Sequence, residues 1–242
     1  MPSSVSTFSI TASDIISAAL RKLDVIGVGE TPLTEDFTNC LFGLNIMVKS
    51  WQTDGYYLWK VEEILVPMVA ATNTYQIGPT ATGPGAVVTN RPLRIREAYI
   101  RDASGNDTTL LVTSRQEWVM LGQKTSQGVP NQLWYDPQLT NGVITVFNVP
   151  IDATSTIHLI AQMPIFDFTA TTDTPDFPQE AYQALVWGLA EEMAAEYRPT
   201  DKLMQVIMNK SKFYRDQLIN WSQEEASTYF MPNYQMLTQR RY

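Results

Sequence analysis

The residues that could do chemistry are few and scattered. The sole histidine, His158, sits in the run Thr156-Ile157-His158-Leu159-Ile160, whose β-branched character predicts a strand. An imidazole there reads as a partly exposed strand residue rather than a general base, which needs a proton-transfer partner within hydrogen-bond reach. The sole cysteine, Cys40, lies among apolar neighbours in a helical stretch. It reads as a buried, inert thiol, since no histidine stands near it in sequence to activate it. With one histidine and one cysteine, neither a zinc cluster of the usual types nor an internal disulfide can form. Gly83-Pro84-Gly85 lacks the Lys-Ser/Thr pair of a phosphate cradle and precedes a strand instead of a helix. No catalytic residue, metal site or cofactor is therefore assigned from the sequence.

Charged clusters and one aromatic segment remain. Glu62 and Glu63 are neighbours in a predicted strand and should point to opposite faces. Glu191 and Glu192 are adjacent on a predicted helix, with Glu196 four residues beyond Glu192. A retaining glycosidase needs two carboxyl groups about 5 Å apart in a cleft, whereas acids on a helix ordinarily form a solvated face. Arg91, Arg94, Arg96 and Arg101 are the one basic concentration, interrupted by Glu97 and Asp102. In a regular strand Arg94 and Arg96 share a face. They are either a polar strand face paired to acids or a contact with a partner or with DNA backbone passing nearby. The C-terminal segment carries Tyr229, Phe230, Met231, Tyr234, Met236, Leu237, Arg240, Arg241 and Tyr242. Disordered tails avoid such side chains, and aromatic anchors with arginines are enriched at interfaces. The segment reads as a docking arm that its partner orders.

The elements that position these residues fall into three stretches. Ser13 reads as an N-cap, followed by Ile15, Ile16, Ala19, Leu20 and Leu23 at helical spacing. After a Gly/Pro breaker, Thr34 reads as a second cap, and Phe37, Leu41, Leu44, Val48 and Trp51 form one stripe of a long helix closed by Asp54-Gly55. From Leu58 to Phe168 the period changes to two. Six or so short strands are bounded by Gly, Pro, Asn and Asp, with one short helix between Ser114 and Gly122. Helical spacing returns after Asp176 and Pro178, breaks at Pro199, and resumes from Asp201 to Trp221. The expected fold is therefore α+β: a helical bundle formed by the N- and C-terminal helix pairs, a β-rich module inserted between them, and an extended C-terminal arm. The expected divisions are 1–57, 58–168, 169–225 and 226–242.

Composition narrows the function classes. The 242 residues are 44% hydrophobic and only 17% charged, below the usual ~25%, while aromatics reach 11%. Large apolar side chains with few charges suggest surface hidden in an assembly. A net charge of -8 and a pI near 4.7 argue against a protein that works by neutralising phosphates. The N-terminus does not read as a signal peptide, and no run approaches the roughly 18 apolar residues of a membrane span. The chain is expected to be made soluble in the cytoplasm, without a membrane anchor.

Two blocks carry a resemblance. Thr11-Ala12-Ser13-Asp14-Ile15-Ile16 with Ala18-Ala19-Leu20-Arg21-Lys22-Leu23 is one. Leu44-Asn45-Ile46-Met47-Val48-Lys49-Ser50-Trp51-Gln52-Thr53-Asp54-Gly55 with Leu58-Trp59 is the other. Together with the Phe177-Pro178 helix start and the aromatic C-terminal segment, they resemble the head-to-tail adaptors of podoviruses, also called tail accessory factors or packaged-DNA stabilisation proteins. The resemblance implies a virion structural protein rather than an enzyme. It implies a ring of twelve copies under the portal, which extends the DNA channel and retains packaged DNA. It further implies a docking platform for the tail nozzle and tail fibres, and a C-terminal arm that reaches up to the portal. DNA passes without sequence-specific binding, and an acidic channel wall suits that. The alternatives are a virion-associated peptidoglycan hydrolase using Glu191, Glu192 or Glu62, or another tail subunit such as a nozzle protein or fibre-attachment collar.

Overall fold

The structure is a computed structural model and describes residues 7–54 and 58–222. The first helix, α1 (Ala12–Lys22), is capped by Thr11, two residues before the expected cap. Thr11 is extended, accepts the Asp14 N–H, and donates its own backbone N–H to Asp14 at 2.8 Å. This reciprocal capping box takes the role expected of Ser13, because its acid stands three residues after a threonine. α2 (Thr34–Asp54), α4 (Tyr182–Tyr197) and α5 (Asp201–Trp221) are the other long helices, and α3 (Arg115–Met120) is a single short one. α4 lies in the middle and packs against α1, α2 and α5. Its Ala184, Gly188, Ala190 and Ala194 are small enough for neighbours to approach on several sides, and all are buried.

Between α2 and α4 the chain forms eight strands: β1 (Val61–Pro67), β2 (Thr74–Gly78), β3 (Val87–Val88), β4 (Arg94–Arg101), β5 (Asp107–Thr113), β6 (Gln132–Asp136), β7 (Gly142–Phe147) and β8 (Thr156–Gln162). Their order is β1-β8-β4-β5-β6-β7-β2-β3. β5–β6 and β2–β3 are parallel and the remaining pairs antiparallel. This corrects the expected architecture. The molecule is not a helical bundle carrying a small inserted β module. Among the described residues it is a mixed eight-stranded sheet, nearly closed into a barrel, with five α-helices. β5 and β3 make the difference. β5, with Thr108 and Thr109 exposed and Leu110 buried, joins β4 to β6 and so links the two halves of the sheet. Closure gives the sheet its own core, including Tyr75, Leu133, Ile144, Val146 and Leu159, all fully buried. The helices keep a separate core.

The connector between β8 and α4 joins the two. Asn45 on α2 acts like a strand edge: its amide donates to the Phe168 carbonyl and accepts the Phe168 N–H, both at 2.9 Å. Lys49 donates to the Ile165 carbonyl at 2.7 Å and pairs with Asp167 at 2.5 Å. Lys60, just before β1, is buried and forms an ion pair with Asp176 at 2.8 Å. The same Asp176 oxygen accepts the Phe166 N–H at 3.2 Å.

Candidate functional site

The outer face of β1, β8 and β4 gathers several titratable groups. Tyr99 donates to Glu63 Oε1 at 2.6 Å, and His158 Nδ1 lies 2.8 Å from the same oxygen. The register explains the meeting: Tyr99 stands opposite His158 on one side and Leu65 opposite it on the other, and Glu63 lies two residues from Leu65 on the same face of β1. The Tyr99 and His158 rings stack with centroids 4.6 Å apart. His158 is therefore buried rather than partly exposed, its ring covered by Tyr99 and held by Glu63. The Tyr99 hydrogen bond, and after it that of His158, hold the Glu63 carboxyl below the usual range. A depressed acid contributes stability that is full above its unfolded value of 4.5 and lost as pH falls through the lower folded value. Glu63→Gln is expected to flatten the acid limb of a denaturant-midpoint titration relative to wild type below pH 4.5, and to leave the curve above it parallel.

The four arginines do not form one patch. Arg101 makes a two-pronged pair with Asp107, both bonds at 2.7 Å, so its charge is used within the β4–β5 hairpin. Arg91 donates to the Pro137 carbonyl at 3.3 Å. Arg94 is exposed and Arg96 half-buried, and both are engaged by neighbours. A bulge between Ile95 and Glu97 makes Arg96 the extra residue, which breaks the alternation that would place Arg94 and Arg96 on one face. The arm residues Tyr229, Phe230, Met231, Tyr234, Met236, Leu237, Arg240, Arg241 and Tyr242 lie outside the described residues.

Cys40 is fully buried, and burial pushes its thiol up to about 11. It is expected to resist alkylation at pH 8 in the folded protein and to react fully in denaturant, as intact mass would show. Glu191 and Glu192 line a cleft of about 290 Å³ with Ser50, Trp51, Ser211 and Arg215, between α2 and α5 over α4. Sequence periodicity shows the acidic face of α4, but it does not show that two other helices wall it. Glu62 lies 3.8 Å from Lys60, far along the chain from this cleft. Among the described residues, no group of three or more His, Cys, Asp or Glu side chains is placed to hold a metal ion.

The apolar residues left outside are more telling. Phe42 is 68% exposed and Ile46 46% on α2, and Phe213 is 57% exposed on α5. On α3 and the connection after it, Val119, Met120 and Val129 are exposed too. A protein that ties its polar groups into its own scaffold and leaves large apolar side chains outside is built to be covered by other chains. That is the construction of an assembly subunit. The sequence profile of the SU10 adaptor protein family matches residues 10–232. The chain thus belongs to this family of phage head-to-tail adaptors, structural components of the virion and not a family of enzymes. No curated protein matches it in sequence. Among the described residues, no helix is long and apolar enough to cross a membrane.

Proposed function

We propose that this chain forms a ring of twelve copies beneath the portal of a podovirus-type virion. The ring extends the DNA channel, retains the packaged genome until ejection, and provides the platform on which the tail nozzle and fibres dock. The family match over residues 10–232 carries this reading. The net charge of -8 supports it, because a channel wall that DNA slides through works better without phosphate-gripping charge. The aromatic segment from Tyr229 to Tyr242, with Arg240 and Arg241, is the proposed arm that holds the portal. Arg91, Arg94, Arg96 and Arg101 are the proposed contacts of the β-rich part with a tail partner or with passing DNA.

Native mass spectrometry of the full-length chain, and of a chain ending at Glu225, with the portal of the same phage tests this. A ring-sized shift for the full chain that the truncation loses is the expected result. Absence of binding by either chain would overturn the portal assignment and point to nozzle or fibre proteins instead.

A further inference from the structure

The outer faces of α2 and α5 are unlike each other in shape and charge. Phe42, Asn45, Ile46 and Lys49 of α2, with Asp167 of the connector after β8, line an open hollow of about 440 Å³. Its floor and walls are mostly apolar, and its rim charges are already paired, Lys49 with Asp167 at 2.5 Å. On α5, Val206 and Phe213 stand seven residues apart, two helical turns, so they share an outer stripe. Both are exposed. Phe213 is the protruding ring, set edge-on against Tyr214 with centroids 5.2 Å apart.

Charge divides in the same way. α5 carries Lys202, Lys210, Lys212 and Arg215 against Asp201 and Asp216. The surface that α2 and α4 offer is the reverse, with exposed Glu35, Glu191, Glu192 and Glu196. In a chain of net charge -8, α5 is the most basic of the described helices, and it is opposite in sign to α2 and α4.

We propose that a second copy of this chain covers both faces. The outer stripe of α5 in one copy seats on α2 of the next, with Phe213 entering the hollow between Phe42 and Ile46. The lysines of α5 then meet the exposed Glu35 of the neighbouring α2 and the exposed Glu196 near the end of its α4. This inference rests on the ring reading above and names the surfaces that would build it. Two different patches that fit each other make a head-to-tail contact, which repeats around an axis until it closes. Self-pairing of either patch would stop at a dimer, and self-pairing of α5 would bring its lysines together with those of the other copy. Apolar insertion supplies the affinity, and the opposed charges select the head-to-tail arrangement over self-pairing.

Cysteine cross-linking in full-length protein assembled on the portal tests the contact. Cys40 is fully buried and stays out of the reaction. The double variant Ile46→Cys/Phe213→Cys is expected to give a ladder of covalent multimers on oxidation, and each single variant only monomer. Phe213→Asp is expected to lose the ring-sized native mass while its circular dichroism stays that of wild type, because the side chain is exposed. Dimers from Ile46→Cys or Phe213→Cys alone would show self-pairing and overturn the head-to-tail contact. A ring-sized mass that survives Phe213→Asp, with no ladder from the double variant, would overturn these faces and leave the ring reading standing. Failure of wild-type protein to form a ring with the portal would overturn the ring reading, and this contact with it.

Discussion

Asp176→Ala is expected to lower the free energy of unfolding by about 3–5 kcal/mol, the range for removing one partner of a buried ion pair. The Lys60 side chain is only 5% exposed, and its ammonium has Asp176 at 2.8 Å and Glu62 at 3.8 Å. It also lies 4.6 Å from the centre of the Phe166 ring. Without Asp176 the cation keeps only the longer contact with an exposed carboxylate and the face of one ring. The Phe166 N–H loses its acceptor as well. Lys60→Met should cost less, because it removes the buried charge itself and leaves Asp176 part-exposed, where water can reach it. The double variant Lys60→Met/Asp176→Ala should recover much of the loss of Asp176→Ala, a coupling expected of groups in direct contact. Urea midpoints for the three variants measure this. An Asp176→Ala midpoint equal to wild type would mean that the connector between β8 and α4 is held by Asn45 and Lys49 alone.

The same ion pair shows what the sequence can and cannot carry. The sequence reads Asp176 as a helix cap, but the helical region is capped at Pro178 and the Asp176 carboxylate is turned to Lys60, 116 residues away; no local pattern joins them. Helices were legible because each has its own signal. α2 and α5 begin where the acids and caps place them, at Thr34 and Asp201, and Pro199 follows the break after Tyr197. The strands were legible one at a time. Their order was not, because pairing of β1 with β8 and of β8 with β4 is set by packing between residues far apart in the chain. β5 reads poorly as a strand because its Asp107-Thr108-Thr109 half is solvent-facing and looks like the turn before it. Without β5 the β region looks like a small insertion, and with it the sheet nearly closes. Glu63, Tyr99 and His158 meet only through that strand order, so a histidine expected to be partly exposed is buried. The exposed faces of α2 and α5 were equally out of reach, since amphipathic spacing names the buried stripe and is silent on what covers the other side.

Gly188→Ala, in the centre of α4, is expected to destabilise the protein by about 1–3 kcal/mol, the cost of overpacking a tight site. Propensity alone argues the other way, since alanine is better than glycine in a helix interior by roughly 1 kcal/mol. Contact geometry decides the sign. A Cβ on Gly188 would stand 2.6 Å from Trp51 Cζ2, 2.8 Å from Met47 Sδ and 3.0 Å from Trp51 Cη2. Met47 can turn its thioether aside, but the indole is a rigid plate, buried, with the Arg215 guanidinium 5.7 Å from its ring centre. Relief therefore requires α4 and α2 to move apart. Gly43→Ala, on the other side of the same crossing, is the control. Its Cβ would meet Met193 Sδ at 2.6 Å, but the next nearest atoms are at 3.8 Å. An unbranched, pliable side chain can yield there, so helix propensity should offset the strain. Gly43→Ala is expected to melt within about 2 °C of wild type, and Gly188→Ala lower by roughly 2–12 °C, on the scale of about 2–4 °C per kcal/mol for a chain of this size. Because α2 carries the hollow proposed to receive a neighbouring Phe213, separating α2 from α4 should also weaken ring formation at temperatures where the variant remains folded. A Gly188→Ala protein that melts with wild type would show that the two helices part without loss, and that their close crossing does not set the position of the α2 face.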